Sequence, residues 1–148
     1  DVHVPGQRSD GDVVTAVDRE SEELIRARIL QARPDDSFLG EEGDDVVGTS
    51  GVRWVVDPID GTVNYLYDIP PYAVSIAVEY DGETVAGVVV DAPRGEVFTA
   101  TKGGGAFLDG QPIQVSGCTE LSKALGRIDL SLIAVEDALR GFRVHERR

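Results

Sequence analysis

The spacing of apolar and polar positions divides the chain into one amphipathic helical segment and a following series of strand-like segments. Between residues 14 and 34 the apolar residues recur at helical spacing, so that they can share one face. The predicted apolar face consists of Val17, Leu24, Ile25, Ile29 and Ala32. The charged residues predicted to lie mostly elsewhere are Arg19, Glu20, Glu22, Glu23 and Arg26. Pro34 ends the helix, because proline cannot continue one.

Short apolar runs rich in β-branched residues predict a sheet after this helix. The runs cover residues 52–56, 72–80, 84–91, 96–101 and 103–116. Asp-Gly pairs at 81–82 and 109–110 predict tight hairpin turns. The three glycines at 103–105 predict a tight turn or bulge, since they lack the lysine context of a phosphate-binding loop. One helix followed by hairpin-connected strands predicts a mixed α and β fold.

Length and composition narrow the class of protein. The 148 residues suffice for one domain with its own core. Asp and Glu number 27 against 14 Lys and Arg, and the net charge of -13 argues against nucleic-acid and anionic-membrane partners. No apolar run approaches the roughly 20 residues of a membrane span. Cys118 is the only cysteine, so no internal disulfide can form and a cytoplasmic location is predicted.

Two acids follow directly after the apolar run at 52–56. Asp57 and Asp60 are three residues apart, and Pro58 and Gly61 favour a loop at the strand end. Like charges placed close together raise each other's pKa or attract a cation, and hard carboxylate oxygens suit Mg²⁺. The alternative is a capped turn, in which Asp60 or Thr62 accepts amide hydrogen bonds at a helix start.

A second acidic pair, Glu41 and Glu42, lies upstream between glycines at 40 and 43. By themselves these acids are typical of a solvated charge run. If their loop meets the end of the strand at 52–56, Glu41 joins Asp57 and Asp60 in a three-carboxylate site for two divalent ions.

Further candidate residues lie at two predicted helix starts. Asp18 begins the first helix, where a partner of the helix dipole is the favoured interpretation and an acid that holds a hydroxyl or a water is the alternative. Gly61 and Thr62 open a second, short helix, whose free backbone amides could bind a phosphate.

Three segments together resemble the inositol monophosphatase family. They are GEE at 40–42, WVVDPIDGTVNYLYDIPPYAVSIAV at 54–78, and GVVVDAPRGEVFTATKGGGAFLDGQPIQVS at 87–116. This family belongs to the lithium-sensitive, magnesium-dependent phosphatases, and the resemblance covers about residues 11–116. It implies an α/β (α+β layered) sugar-phosphatase fold, with a mainly antiparallel sheet and flanking helices. Residues 1–148 would be a single domain similar to the amino-terminal lobe, with the second lobe absent or incomplete.

The resemblance also implies a role for each candidate residue. Two or three Mg²⁺ ions would be held by Glu41, Asp57 and Asp60, together with the backbone carbonyl of Ile59. The substrate would be contacted by Glu41, Ile59, Asp60, Gly61 and Thr62, the last two through amides that bind its phosphate. Asp18 and Thr62 would be catalytic and orient the attacking water. Glu42 would be a neighbouring acid that supports the metal ligands.

The implied reaction is the hydrolysis of a phosphate monoester, with a small phosphorylated polyol or sugar as substrate and a homodimer as the assembly. Related activities on histidinol phosphate, fructose bisphosphate or adenosine bisphosphate are alternatives within the same class. An alternative from another class is a non-catalytic metal-binding or interaction domain. It arises because a later family segment, which carries a further aspartate ligand, has no counterpart in this sequence.

Overall fold

A computed structural model describes residues 16–115 of the chain. The two helices of this part are α1 (Ala16–Ala32) and α2 (Thr62–Leu66). Its seven strands are β1 (Ser37–Gly40), β2 (Val52–Asp60), β3 (Ala73–Tyr80), β4 (Glu83–Asp91), β5 (Glu96–Thr101), β6 (Gly105–Leu108) and β7 (Gln111–Ile113). Residues 14 and 15 of the predicted first helix, and Cys118, lie outside the described residues.

The strands form one seven-stranded sheet in sequence order, from β1 to β7. Only the β1–β2 pair is parallel among these strands, and the other five pairs are antiparallel. The predicted hairpins are confirmed at Asp81–Gly82 and Asp109–Gly110, where both residues of each pair have positive φ. Gly103 and Gly104 lie in the tight turn that leads from β5 into β6, as predicted, and Gly105 begins β6. The mixed α and β fold with a mainly antiparallel sheet is therefore confirmed.

Strand β2 is longer than the predicted run at 52–56. Its pairing with β3 continues through Asp57, opposite Ser75, and ends with Asp60 opposite Ala73. The register shifts between the two acids, where Pro58 has no amide hydrogen to donate to the ladder. The predicted loop at these acids is therefore wrong: they belong to an irregular strand end, whose position the neighbouring strand fixes.

Helix α1 is confirmed, but its buried face is not the predicted apolar one. Its most buried residues are Asp18 and Glu22, at 1% and 2% exposure, whereas Val17 and Leu24 are exposed at 39% and 59%. Burying a carboxylate is costly unless hydrogen-bond donors compensate for the lost water. The inversion therefore indicates that partners for these acids lie beneath the helix.

The buried apolar side chains of the described residues centre on β1, β2 and β3. They are Phe38, Val56, Ile59 and Ala77. Helix α1 packs against β2 on this core, which places the acidic face of the helix over the ends of β1 and β2. Neither described helix combines the length and the apolar character that crossing a lipid bilayer requires.

Candidate active site

The parallel pairing of β1 and β2 explains why two distant acids meet. Gly40, the last residue of β1, pairs with Val56 of β2. Each is followed directly by an acid: Glu41 comes after the last residue of β1, and Asp57 is the next residue of β2. Neighbouring strands lie about 4.8 Å apart, so parallel strands in this register leave the two acids side by side. The loop of Glu41 does meet the end of β2, as the acid site requires.

Asp57 is the electrostatic centre of this strand end. Its side chain is buried at 6% exposure, and burial is the largest cause that raises its pKa to about 8. The negative charges of Glu41 and Asp60, and a hydrogen bond shared with the Glu41 carboxyl group, raise the pKa further. Only the backbone amide of Ile59 opposes them. The site therefore holds more negative charge than the donors around Asp57 can stabilise.

One carboxylate oxygen of Asp57 shows what this site could take. Within residues 16–115, Asp57 Oδ1 is buried and has no hydrogen-bond partner. A cation would satisfy that oxygen and relieve the repulsion from Glu41 and Asp60. Among the described residues, no group of three Asp, Glu, His or Cys side chains lies close enough together to hold a metal ion. Mg²⁺ commonly takes only one or two carboxylates, with water and phosphate as its other ligands, so these donors fit it.

The junction between β2 and α2 supplies a hydroxyl at the same place. Thr62 Oγ1 lies 3.1 Å from Asp18 Oδ1 and 3.0 Å from the carbonyl oxygen of Ile59, and its single proton can be donated to either. Asp18 is thus a buried hydrogen-bond acceptor, and it also lies in the first turn of α1, where an acid favours the helix dipole. The carbonyl of Ile59 keeps a second lone pair for another ligand.

Gly61 opens α2 in a left-handed conformation, with φ 90° and ψ 41°. The N-cap position of α2 is this glycine, which has no side chain with which to cap the helix. A Cβ on Gly61 would lie 3.3 Å from the carbonyl oxygen of Pro71, which is tight as well as strained. A glycine is therefore required where the chain turns from the acids into α2.

Glu22, which the sequence did not predict as a site residue, contacts the acidic loop from α1. Its Oε2 accepts a hydrogen bond of 2.7 Å from the backbone amide of Glu42, whose own side chain is half-buried. The signal was available, because Glu22 is four residues after Asp18 and such residues share a helical face. Asp18 and Glu22 thus contact the two parts of the site, Thr62 and the acidic loop respectively.

Comparison with known proteins agrees with this geometry. A model of the inositol monophosphatase family matches residues 1–140. The chain is 46% identical over 115 residues to an inositol-1-monophosphatase of Rhizobium meliloti (strain 1021), covering 77% of this chain and 43% of that relative. It is 44% identical over 115 residues to a histidinol-phosphatase of Chlorobaculum parvum, covering 78% of this chain and 44% of the relative.

A solved structure shares the fold as well as the sequence. The crystal structure of the extragenic suppressor protein SuhB from Bartonella henselae superposes with a TM-score of 0.75 at 41% identity, over 78% of this chain and 45% of that one. The chain belongs to the inositol monophosphatase family. It spans less than half the length of the curated relatives described above.

Proposed function

We propose that this chain forms the metal-binding and phosphate-binding part of a magnesium-dependent phosphomonoesterase. The observation that carries the proposal is Asp57, a buried carboxylate with one unpartnered oxygen beside Glu41 at the ends of two parallel strands. Structural acids are normally satisfied by donors, whereas this one is surrounded by other acids. A buried group whose pKa is raised in this way is characteristic of functional sites.

The residues that would hold the metal are the oxygen donors that surround Asp57, together with Asp57 itself. They are Glu41, Asp57, Asp60 and the backbone carbonyl of Ile59, for two or three Mg²⁺ ions. When bound, Mg²⁺ would neutralise phosphoryl charge and acidify water. Glu42, whose backbone amide is already fixed by Glu22, would support the ligand next to it.

The phosphate would be held beside this cluster by the backbone amides of Gly61 and Thr62. Helix α2 has only five residues, so the direct hydrogen bonds of these amides would matter more than a helix dipole. Glu41, Ile59 and Asp60 border the same position and would contact the substrate there. This placement would orient one face of the phosphate toward the Thr62 hydroxyl.

Proton transfer from the attacking water would pass through Thr62 and Asp18. Because Thr62 Oγ1 can donate its proton to Asp18 Oδ1, its lone pairs are free to accept a proton from water. The water oxygen would then form the new bond to phosphorus as the bond from phosphorus to the ester oxygen breaks, and that oxygen would take a proton from solvent water to leave as the alcohol. Thr62 and Asp18 are therefore the catalytic residues of this proposal.

The substrate class we propose is a small phosphorylated polyol or sugar, with inositol phosphate first. Relatives named inositol-1-monophosphatase support it, and a relative named histidinol-phosphatase supports histidinol phosphate as the nearest alternative. Phosphate release should be compared on inositol 1-phosphate, histidinol phosphate, fructose bisphosphate and adenosine bisphosphate. Preference for inositol 1-phosphate is expected, and preference for another substrate would reassign the specificity.

A second candidate is a metal-binding domain without catalysis. The unpartnered buried oxygen of Asp57 accounts for cation binding by itself, whether or not a reaction follows. Calorimetric titration with Mg²⁺, run beside a phosphate-release assay, separates the two candidates. Binding with turnover supports the enzyme, and binding without turnover supports the alternative.

The deciding variant for the activity is Glu41→Gln, with Glu79→Gln as its control. Glu79 is also a buried acid, but it forms an ion pair of 2.6 Å with Arg53, four residues along β3 from the partner of Asp57. Magnesium-dependent phosphate release should be lost in Glu41→Gln and kept in the control. Full activity of Glu41→Gln would contradict the proposal.

The remaining proposals concern domain organisation, location and assembly. We propose that residues 1–148 fold as a single domain, act in the cytoplasm and associate as a homodimer. The net charge of -13 supports small-molecule rather than nucleic-acid or membrane partners. Analytical ultracentrifugation tests the dimer directly, and a monomer at micromolar concentration would contradict it.

A further inference from the structure

The buried carboxylate of Glu22 lies between α1 and the loop that carries Glu41. Its side chain is only 3% exposed, although no step of the proposed reaction uses it. The loop, residues 41–45, is closed at its base by two backbone hydrogen bonds of 2.8 Å between Phe38 and Val46. Nothing in this closure fixes the outer part of the loop, which is where Glu22 makes its contacts.

Glu22 holds this outer part through the peptide bond that follows Glu41. The amide that donates to Glu22 Oε2 belongs to Glu42 and is therefore part of the Glu41–Glu42 peptide group. A hydrogen bond to that amide restricts the backbone rotation of Glu41, and with it the direction of the Glu41 side chain. Glu22 thus acts on the candidate metal ligand through the backbone.

Arg26 completes the arrangement from the next turn of α1. It donates to Glu22 Oε1 at 3.0 Å and to the carbonyl oxygen of Asp44 at 2.8 Å, so the loop is bound at two points. Its guanidinium group also lies 5.0 Å from the ring centre of Phe38, which is 1% exposed. The positive charge of Arg26 lets Glu22 stay buried beside an acidic loop.

Two glycines leave room for this contact. A Cβ on Gly40 would overlap the carboxylate of Glu22, and a Cβ on Gly43 would overlap both Glu22 and Arg26. The glycines on each side of the Glu41–Glu42 pair therefore permit the close approach of α1 to the loop. The GEEG segment at 40–43 therefore needs its glycines for packing against α1, in addition to its acids for the candidate site.

We propose that Glu22 is a positioning residue that holds the Glu41–Glu42 peptide against α1 and thereby sets the affinity of the site for Mg²⁺. The inference rests on the proposed function, in which Glu41 is a metal ligand. Partners that orient metal ligands typically change metal affinity by about 10–100-fold when they are removed. The same helical face orients Thr62 through Asp18, so α1 aligns both parts of the site.

The test uses Glu22→Ala and Glu22→Gln in the 148-residue chain, with Glu79→Ala and Glu79→Gln as matched controls. The controls also remove a buried carboxylate that is paired with arginine, but away from the loop. Amide hydrogen exchange of Glu42 reports the loop, and calorimetry with Mg²⁺ alone reports the affinity. Glu22→Gln retains an oxygen acceptor and guards against loss of folding in Glu22→Ala.

In Glu22→Ala, we expect the protection of the Glu42 amide to fall at least about tenfold and the Mg²⁺ dissociation constant to rise about 10–100-fold. Glu22→Gln should give intermediate values, and the Glu79 variants should leave both quantities unchanged. Unchanged Glu42 exchange, or an unchanged dissociation constant, in folded Glu22 variants overturns the inference. Absence of Mg²⁺ binding by the unsubstituted chain overturns the proposed function instead, and the exchange measurement then decides the positioning role by itself.

Discussion

Two buried aspartates, one directly before β1 and one in β2, have opposite surroundings. Asp36, at 2% exposure, accepts hydrogen bonds from Arg33 Nε at 2.5 Å, Ser50 Oγ at 2.6 Å and Trp54 Nε1 at 2.9 Å. The hydrogen bond from Arg33 is the largest cause that lowers the pKa of Asp36 to about 2, although burial alone would raise it. Every nearby polar group thus favours the ionised form of Asp36.

Asp57 is the reverse case, because the charged groups that act on it are acids. Burial and the charges of Glu41 and Asp60 raise its pKa to about 8. The comparison teaches that burial does not distinguish a structural acid from a functional one, since both side chains are inaccessible. The number of nearby hydrogen-bond donors distinguishes them. Both oxygens of Asp36 accept hydrogen bonds from described residues, whereas one oxygen of Asp57 has no partner there and can bind a ligand.

The largest expected difference between the two aspartates is in catalysis. Asp57→Asn removes a proposed metal ligand and should lower magnesium-dependent phosphate release by about 1,000-fold or more. Asp36→Asn should leave the turnover of the folded protein within about twofold of its original value, because Asp36 does not reach the site. Initial rates on inositol 1-phosphate measure both. Equal losses in the two variants would contradict the distinction.

The second test concerns the hydroxyl group of Thr62, which lies at the candidate site of Asp57. Thr62→Val keeps the shape of the side chain but removes the proton relay to Asp18, so turnover should fall by about 100-fold. Thr62→Ser retains the hydroxyl and should keep most of the activity. Steady-state kinetics with saturating Mg²⁺ separate turnover from substrate binding. A Val variant as active as the Ser variant would show that this hydroxyl takes no part in the reaction.

For stability we expect the opposite order, in which substitution of Asp36 costs more than substitution of Asp57. Asp36→Asn weakens the ionic hydrogen bond from Arg33 and disturbs those from Ser50 and Trp54, so the free energy of unfolding should fall by about 2–3 kcal/mol. Urea denaturation measures this loss. Arg33→Gln is the matched change on the exposed side of the pair and should cost less. An Asp36→Asn variant of unchanged stability would contradict the structural role of this network.

The two aspartates should also affect the pH dependence of the unfolding free energy in opposite directions. When EDTA removes metal ions, the raised pKa of Asp57 means that its contribution to stability is lost as the pH rises from 3.8, the ordinary pKa of an aspartate, through about 8. The lowered pKa of Asp36 means that its contribution is lost as the pH falls from 3.8 toward about 2.

In EDTA, the stability of Asp57→Asn relative to the unsubstituted chain should therefore increase as the pH rises from 6.5 to 8, by roughly 1–2 kcal/mol. Denaturation curves at each pH give this difference, and saturating Mg²⁺ should reverse it. A difference that is constant with pH would contradict the raised pKa of Asp57.

The smallest expected effect concerns the glycine that follows the acids. Gly61→Ala places a Cβ at positive φ and close to Pro71, whereas Gly82→Ala has a similar φ of 80° and no neighbour within 4 Å. The control should cost about 1 kcal/mol of unfolding free energy, and Gly61→Ala somewhat more. Thermal denaturation compares them. Equal costs would show that the approach to Pro71 is not restrictive.

The sequence predicted the sheet well because the information was local. The Asp81–Gly82 turn and the alternating apolar runs around it are properties of neighbouring residues, and their hairpins are confirmed. The family resemblance named the acids that the structure brings together, including Glu41 and Asp57, although their individual roles stay predictions. The fold class was thus readable before any tertiary contact was known.

The buried face of α1 could not be read in the same way. Helical periodicity assumes that apolar residues face inward, but Glu22 is buried because a loop amide 20 residues away needs an acceptor. The extension of β2 to Asp60 likewise depends on pairing with β3 across Pro58. Both features arise from contacts between distant segments, to which local patterns are insensitive.

The most direct test of the central claim is a calorimetric titration of the chain with Mg²⁺ in buffers of different ionisation enthalpy. If Asp57 and Glu41 form the metal site, binding should be saturable and should release protons near neutral pH, because the ion displaces the proton that burial retains. Asp36→Asn should behave like the unsubstituted chain, and Asp57→Asn should not bind. No saturable heat, or equal binding by Asp57→Asn, would contradict the account.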